Sequence, residues 1–352
     1  MPEPTFASRV RGCFLGGAVG DALGAPIEFA SLDEIVAAHG IDGPADLGEA
    51  FGVAGAITDD TQMTMFTVEG MLRALVRHDA KGICFPVGVV HHAYLRWLHT
   101  QGERSEHPLF APEEFDGWLI ELGALHARRA PGATCLSALT KAELGTKEAP
   151  VNDSKGCGGV MRVAPLGFLA VDPFGFACEV AALTHGHPTG WLAAGFFAGL
   201  VGEVATGRPL GPAIVAARAA LLREEGHEET LAAVDRALEH ADLAPPLPES
   251  LPRLGEGWVA EEALALALFC ALSAEGFEDG VRLAVTHGGD SDSTGAMTGA
   301  LLGALLGEEA IPARWLEAVE LGDAISTLAD DVVETLRGRG TEALSWERYP
   351  GW

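Results

Sequence analysis

The sequence predicts an all-α fold of a dozen or more helices, and three observations carry that expectation. Apolar residues recur at helical spacing, as in Met65, Val68, Leu72, Leu75 and Val76. No stretch shows the sustained two-residue alternation of a half-buried strand. Glycine also falls on every fourth residue in two distant stretches, Gly12/Gly16/Gly20/Gly24 and Gly295/Gly299/Gly303/Gly307. Residues four apart share a helix face, so each set forms a bare stripe. A glycine inside a helix costs about 1 kcal/mol against alanine. Close approach of a second helix backbone is the compensation expected here. Gly195 and Gly199 repeat the device more weakly. A tightly packed central bundle follows.

The chain has 352 residues, which allows one large domain or two. Hydrophobic residues make up 48%, ample for a sizeable core, and the net charge is −27. An acidic surface repels nucleic acid and anionic membranes, so neither is expected as a partner. Small phosphorylated ligands are not excluded, because local glycine-rich loops bind them. The six cysteines are scattered without a C-x-x-C pair, which fits neither a zinc site nor a disulfide framework. The N-terminus lacks a signal-peptide core. The longest uncharged apolar runs, residues 263–274 and 295–307, are too short to span a bilayer. A soluble cytoplasmic protein with no membrane and no obligate partner is the expectation.

In chain order, the first glycine stripe is followed by Pro26-Ile27-Glu28-Phe29. Glu28 lies between apolar neighbours and reads either as a surface carboxylate past a helix end or as one aimed at a site. Residues 40–55 are rich in Gly and Asp and read as loop. Helices are expected at 60–78, 83–100 and 118–129, with an exposed loop at 103–117. Residues 152–162, NDSKGCGGVMR, form a glycine-rich loop that is neither a P-loop nor a G-x-G-x-x-G fingerprint. Consecutive glycines before a helix can offer an N–H nest to phosphate. The triplet Thr-His-Gly occurs twice, at 184–186 and 286–288. A histidine between apolar helices is more often a structural hydrogen-bonder than a catalyst. Residues 212–240 read as helix, and 244–257, with four prolines, as a surface connection. Further helices are expected at 259–275, 294–307, 312–322 and 323–337.

The chemistry concentrates at Asp290-Ser291-Asp292-Ser293-Thr294, two carboxylates and three hydroxyls set against an apolar run. One such residue is enough to cap a helix. Two Asp spaced by one residue behind Gly288-Gly289 fit a hard-cation site, since Mg²⁺, Mn²⁺ and Ca²⁺ take oxygen ligands. An EF-hand is excluded, because its twelfth position needs Glu and is Leu301 here. Thr58-Asp59-Asp60-Thr61 has the same character and also opens a helix. If the two turns meet, four carboxylates converge and repel. One or two divalent cations would relieve that repulsion.

Taken together, Gly16 to Gly24, Thr58 to Thr61, Ser154 to Pro165, Thr184-His185 and Gly288 to Thr294 resemble the ADP-ribosylglycohydrolases. The likeness runs in the family's order over nearly the whole chain, so a single domain covering residues 1–352 is expected. The resemblance implies a compact orthogonal helical bundle around two divalent cations, Mg²⁺ or Mn²⁺. It implies Thr58, Asp59 and Asp60 as metal ligands from the first turn and Asp290, Asp292 and Ser293 from the second. Ser293 stands where many members have Thr and keeps the hydroxyl. Glu28 matches the family's mobile acidic residue and, with Asp60 and Asp292, is the expected catalytic set. Ser154, Gly156, Cys157, Gly158 and Gly159 match the loop that wraps the diphosphate of ADP-ribose, and His185 a histidine near the adenosine end or the ribose. The implied activity is metal-dependent hydrolysis of the bond between ADP-ribose and an acceptor, on a modified protein or a small conjugate. The alternative is an inactive ADP-ribose-binding or structural protein on the same fold. Residues 128–134 lack the acidic residue that arginine-specific members use, which leaves Asp116, Glu113 and Glu103 as substitutes from the preceding loop.

Overall fold

The computed structural model describes residues 3–351, and among them fifteen α-helices and one two-stranded hairpin. The first helix, α1 (Phe6–Gly24), starts where the Thr5 hydroxyl accepts from Ser8 N–H. After it come a 3-10 turn (Ala25–Ile27) and α2 (Leu32–His39), which Ser31 and Glu34 close with a reciprocal capping box. Helix α3 (Asp59–Lys81) opens with Asp59 and Asp60 in its first turn and ends with His78 and Lys81 in its last. Both ends match the helix dipole. Pro86 then starts α4 (Pro86–Thr100).

Short elements follow: α5 (Ala133–Leu139), α6 (Leu166–Leu169) and α7 (Pro173–Ala182). The second half holds α8 (Pro188–Ala205), α9 (Leu210–Leu221), α10 (Glu228–Leu243), α11 (Ala260–Ser273) and α12 (Phe277–Val285). It closes with α13 (Ser291–Leu306), α14 (Ala313–Ala318) and α15 (Gly322–Glu334). No helix among the described residues is long and apolar enough to cross a membrane.

The axis of the molecule is the pair α1 and α13, its most extensive helix contact. Both helices are buried almost all round. A Cβ on Gly12, Gly16, Gly20 or Gly24 would overlap the carbonyl of Gly303, Gly299, Gly295 or Ser291 in turn. The reverse holds from Gly295, Gly299 and Gly303 back to α1. The two backbones are therefore in direct contact, as the glycine spacing requires. Gly307 leaves the stripe and caps α13 at φ 84°. Arg9, buried on α1, donates to the carbonyls of Ala304 and Leu305 at the same end, 3.0 and 2.8 Å away. Gly195 on α8 meets Cys178 and Phe174 of α7.

Four expected elements differ. Residues 118–129 are not an α-helix but two 3-10 turns, Leu119–Glu121 and Gly123–Leu125. Leu119, Leu122 and Leu125 are three apart, which is the repeat of a 3-10 face, and Leu119 and Leu125 are the buried ones. The helix expected over 212–240 is broken at 222–227, where Gly226 turns the chain at φ 76°. Within the 40–55 loop, Glu49–Ala50 pairs antiparallel with Val53–Ala54. The helix at 312–322 stops at Ala318, where Val319 turns extended, and Leu321 at a left-handed φ of 58° precedes α15.

Candidate active site

The N-termini of α3 and α13 and the C-terminus of α1 meet at one end of the central pair. There they enclose a cavity of about 330 Å³. Asp59, Asp60, Asp290, Asp292 and Ser293 line it, and Glu28 reaches in from the turn after α1. One carboxylate oxygen from each of Glu28, Asp290 and Asp292 lies within 4.8 Å of the others. The Ser293 hydroxyl lies 3.6 Å from Cys157 Sγ and 4.0 Å from Met161 Sδ, which ties the second turn to the glycine-rich loop. All of these acids are buried.

The turns are held from behind. Asp290 caps α13 by accepting from Ser293 N–H, and its own N–H donates to the Glu256 carbonyl at 2.8 Å. Asp59 accepts from Gly132 N–H at 3.0 Å, so the 130–134 segment forms one wall. Thr58 does not line the cavity: its hydroxyl caps Asp60 N–H at 3.3 Å and lies 3.4 Å from the Asp60 carboxylate. Behind it sits Asp21, fully buried on α1. The Asp21 carboxylate accepts from Thr58 N–H, Thr61 N–H and the Thr61 hydroxyl at 2.5–3.1 Å. It lashes the first turn to α1 and received no role from the sequence alone. The available signal was the one acidic residue of a glycine-striped, mostly apolar helix.

Burial dominates the electrostatics. It pushes the Glu28 carboxyl up to about 8, helped by the charges of Asp290, Asp59 and Asp21. Burial likewise lifts Asp59 to about 8 and holds Asp60 and Asp292 well above the usual carboxylate range, with the neighbouring acids adding to it. Asp21 rises only to about 6, because the three hydrogen bonds from Thr61 and Thr58 favour its ionised form. A cluster of this kind is unstable as separate anions.

The donor set fits a divalent cation. Glu28 Oε2 and Asp60 Oδ1 are buried and have no hydrogen-bond partner, a costly state for a carboxylate oxygen. All-oxygen sites with several carboxylates suit Mg²⁺ or Mn²⁺.

The glycine-rich loop forms the opposite wall. Gly156, Cys157 and Gly158 face the cavity. Ser154 and Gly159 do not: the Ser154 hydroxyl accepts from Gly156 N–H and meets the Thr134 hydroxyl, and Gly159 packs on the His185 ring. An antiparallel bridge from Gly156 to Val259 anchors the loop, and Cys157 N–H donates to the Trp258 carbonyl. Residues Cys157–Gly159 make a 3-10 turn, whose leading N–H groups have no partner within it. The Cys157 thiol sits 2.7 Å from Asp290 Oδ2.

His185 also lines the cavity, whereas His287 bonds Thr294 behind the start of α13. At the mouth, Phe29 stacks on Trp258, with ring centroids 5.9 Å apart and planes at 14°. Neither ring was singled out from sequence, since only the fold brings them together. Of the three substitute acids, Asp116 pairs with Arg73 and Glu103 with Arg128, and neither they nor Glu113 line the cavity.

An all-helical frame that gathers buried acids opposite a glycine loop defines a class, and comparison identifies it. A family model described as ADP-ribosylglycohydrolase matches residues 2–342, so the chain belongs to the ADP-ribosylglycohydrolase family. Membership carries glycohydrolase activity on ADP-ribosyl substrates. Among individual proteins, the ADP-ribosyl-[dinitrogen reductase] glycohydrolase of Rhodospirillum rubrum is 28% identical, over 91% of this chain and 93% of its own. An uncharacterized protein of Archaeoglobus fulgidus is 27% identical, over 93% of this chain and 96% of its own. A solved structure described as an ADP-ribosylglycohydrolase-related protein complex superposes with a TM-score of 0.64 at 27% identity, covering 94% of this chain and 99% of the other.

Proposed function

We propose that the protein is a divalent-metal-dependent hydrolase of the glycosidic bond between ADP-ribose and an acceptor. The acceptor is a protein side chain such as arginine, or a small conjugate. The observation that carries this reading is the meeting of Glu28, Asp290 and Asp292 oxygens within 4.8 Å, beside buried carboxylate oxygens that lack partners.

Thr58, Asp59, Asp60, Asp290, Asp292 and Ser293 would hold two cations, Mg²⁺ or Mn²⁺. When bound, such ions polarise water and position hydroxyls. The chain's own residues supply the rest. Ser154, Gly156, Cys157, Gly158 and Gly159 form the proposed main-chain cradle for the diphosphate, in which the Gly156 and Cys157 N–H groups are held by the Ser154 hydroxyl and the Trp258 carbonyl and Gly158 and Gly159 are left to donate. His185 presents a ring nitrogen to the same ligand. Glycoside hydrolysis passes through an oxocarbenium-like state and needs a group that takes a proton from water or returns one to the leaving group. Glu28 has an unpartnered Oε2 and a raised pKa, which suit it to hold and release that proton. Asp60 and Asp292 stand beside it as the other expected catalytic acids. The Rhodospirillum relative, named for an ADP-ribosylated protein, supports a protein substrate.

The test is hydrolysis of ADP-ribosyl-arginine, ADP-ribosyl-serine and O-acetyl-ADP-ribose with Mg²⁺ or Mn²⁺, and again with chelator. At least one conjugate should be cleaved with metal and none without it. Tight ADP-ribose binding with no turnover on any conjugate would replace this reading with the binding-protein alternative.

A further inference from the structure

Arg162 is fully buried yet belongs to no ion pair among the described residues. Its guanidinium lies over the Tyr94 ring at 4.4 Å and donates to the Val180 carbonyl at 3.2 Å. One nitrogen contacts two sulfurs, Met63 Sδ and Cys135 Sγ. Its best-placed partner is the Thr184 hydroxyl at 2.7 Å. That hydroxyl has in turn two places for its own hydrogen: the Ala181 carbonyl at 3.5 Å and His185 Nδ1 at 2.8 Å.

Arginine can only donate. Thr184 Oγ therefore accepts from Arg162, and its single hydrogen goes to the nearer acceptor, Nδ1. A nitrogen that accepts carries no proton, so in a neutral imidazole the proton resides on Nε2. Charge points the same way. Burial and the Arg162 cation both oppose protonation and hold His185 down near 3. The Nδ1 lone pair faces the cationic side, and Nε2 faces Gly156 and Gly158, where an added Cβ would approach it to 3.3 and 3.4 Å. A loop glycine thus leaves Nε2 open to the cavity.

We propose that Arg162 and Thr184 are positioning residues that lock His185 as a neutral Nε2–H donor facing the glycine loop. The group it recognises is an oxygen acceptor on the ribose-diphosphate part of the ligand. This deepens the proposed function and rests on it for the identity of the ligand, but not for the state of the ring. The opposite tautomer would present a lone pair to a phosphate oxygen and repel it.

The experiment uses the full chain labelled with ¹⁵N-histidine. Two-bond ¹H–¹⁵N correlations should show His185 with Nδ1 unprotonated and hydrogen-bonded, and with Nε2 protonated. Thr184→Ser keeps the hydroxyl and should keep that pattern. Thr184→Val should lose the hydrogen-bonded Nδ1 signature and bind ADP-ribose about tenfold more weakly by calorimetry, the scale of one hydrogen bond to a charged group. A proton on Nδ1 in the parent overturns the proposal, as does parental ADP-ribose affinity in Thr184→Val. If the valine variant does not fold, the parent and serine spectra decide. Should the parent fail to bind ADP-ribose, the proposed function falls, while the spectra still judge the relay.

Discussion

Glu28 and Asp292 approach the same point, yet their removal should read differently. Asp292→Ala removes a proposed metal ligand from the floor of the site and should abolish both Mn²⁺ binding and hydrolysis of ADP-ribosyl conjugates. Glu28→Gln keeps the shape but not the exchangeable proton. Its ADP-ribose affinity should stay near parental while turnover falls about 10²–10⁴-fold, the range of a positioned acid or base. Calorimetry beside a turnover assay separates the two, and equal behaviour would remove Glu28 from proton transfer. Asp21→Ala should act on stability first, because it strands the Thr58 and Thr61 N–H groups in a buried site. Each orphaned donor costs about 1–3 kcal/mol, so urea unfolding should show a loss of several kcal/mol. The paired aspartates were legible in the sequence because carboxylates beside apolar runs are costly without a purpose, whereas Glu28 read equally as a surface acid and was tied to the site only by the family resemblance. Asp21 was not assigned, because its work is to hold main-chain groups that sequence does not display. Thr58 and Ser154, whose expected roles come from the family resemblance, accept with their hydroxyls from the Asp60 and Gly156 N–H groups in the structure.

At the scale of elements, the crossing of α1 and α13 invites a paired test. Gly299→Ala adds a methyl where the Gly16 carbonyl already sits. Neither backbone can yield without moving its helix. The propensity gain of about 1 kcal/mol should be outweighed by overpacking of about 1–3 kcal/mol or more. Gly211→Ala on α9 meets open space and should raise the melting temperature slightly. A lower melting temperature for Gly299→Ala beside a higher one for Gly211→Ala is the expected calorimetric result. This crossing was readable because a four-residue glycine repeat has few uses outside membranes. The stretch 118–129 misled because Leu119, Leu122 and Leu125 satisfy a helical pattern as well as a 3-10 one. What decides between them is tertiary: Arg129 leaves the segment to pair with Glu320 and to bond the Ile57 carbonyl.

For the whole molecule, pH and salt should act through buried histidines and surface charge. His91 and His92 on α4 are buried, chiefly burial holding the first near 3 and the second near 2. Unfolded histidine titrates near 6.5. Between that value and the folded one the unfolded chain binds more protons. Their contribution to stability is therefore complete above about pH 6.5 and is lost as pH falls, at about 1.4 kcal/mol per unit for each histidine. The buried acids, with Glu28 and Asp59 raised to about 8, act in the opposite sense over the same window, so the histidine effect is read as a difference: by chemical denaturation a double His91→Gln/His92→Gln variant should gain stability relative to the parent between pH 7 and pH 5.5. The net charge of −27 adds self-repulsion that salt screens, so the melting temperature should rise from low to physiological ionic strength.

The contact of α1 with α13 also has a consequence for how the protein is made. Gly24 and Ser291 touch in the finished molecule, but a ribosome working at about 5–20 residues per second needs roughly 15–55 s to travel from one to the other. Through that interval α1 presents a bare backbone stripe with no mate, and Asp21 holds the Thr58 turn ready for a partner not yet synthesised. The acidic cavity can consequently be completed only once the Asp290–Ser293 turn has been made, late in synthesis. A stalled chain that ends before residue 291 should gain no stability from Mn²⁺, whereas supplying the missing segment in trans should restore a metal-dependent rise in protection from proteolysis.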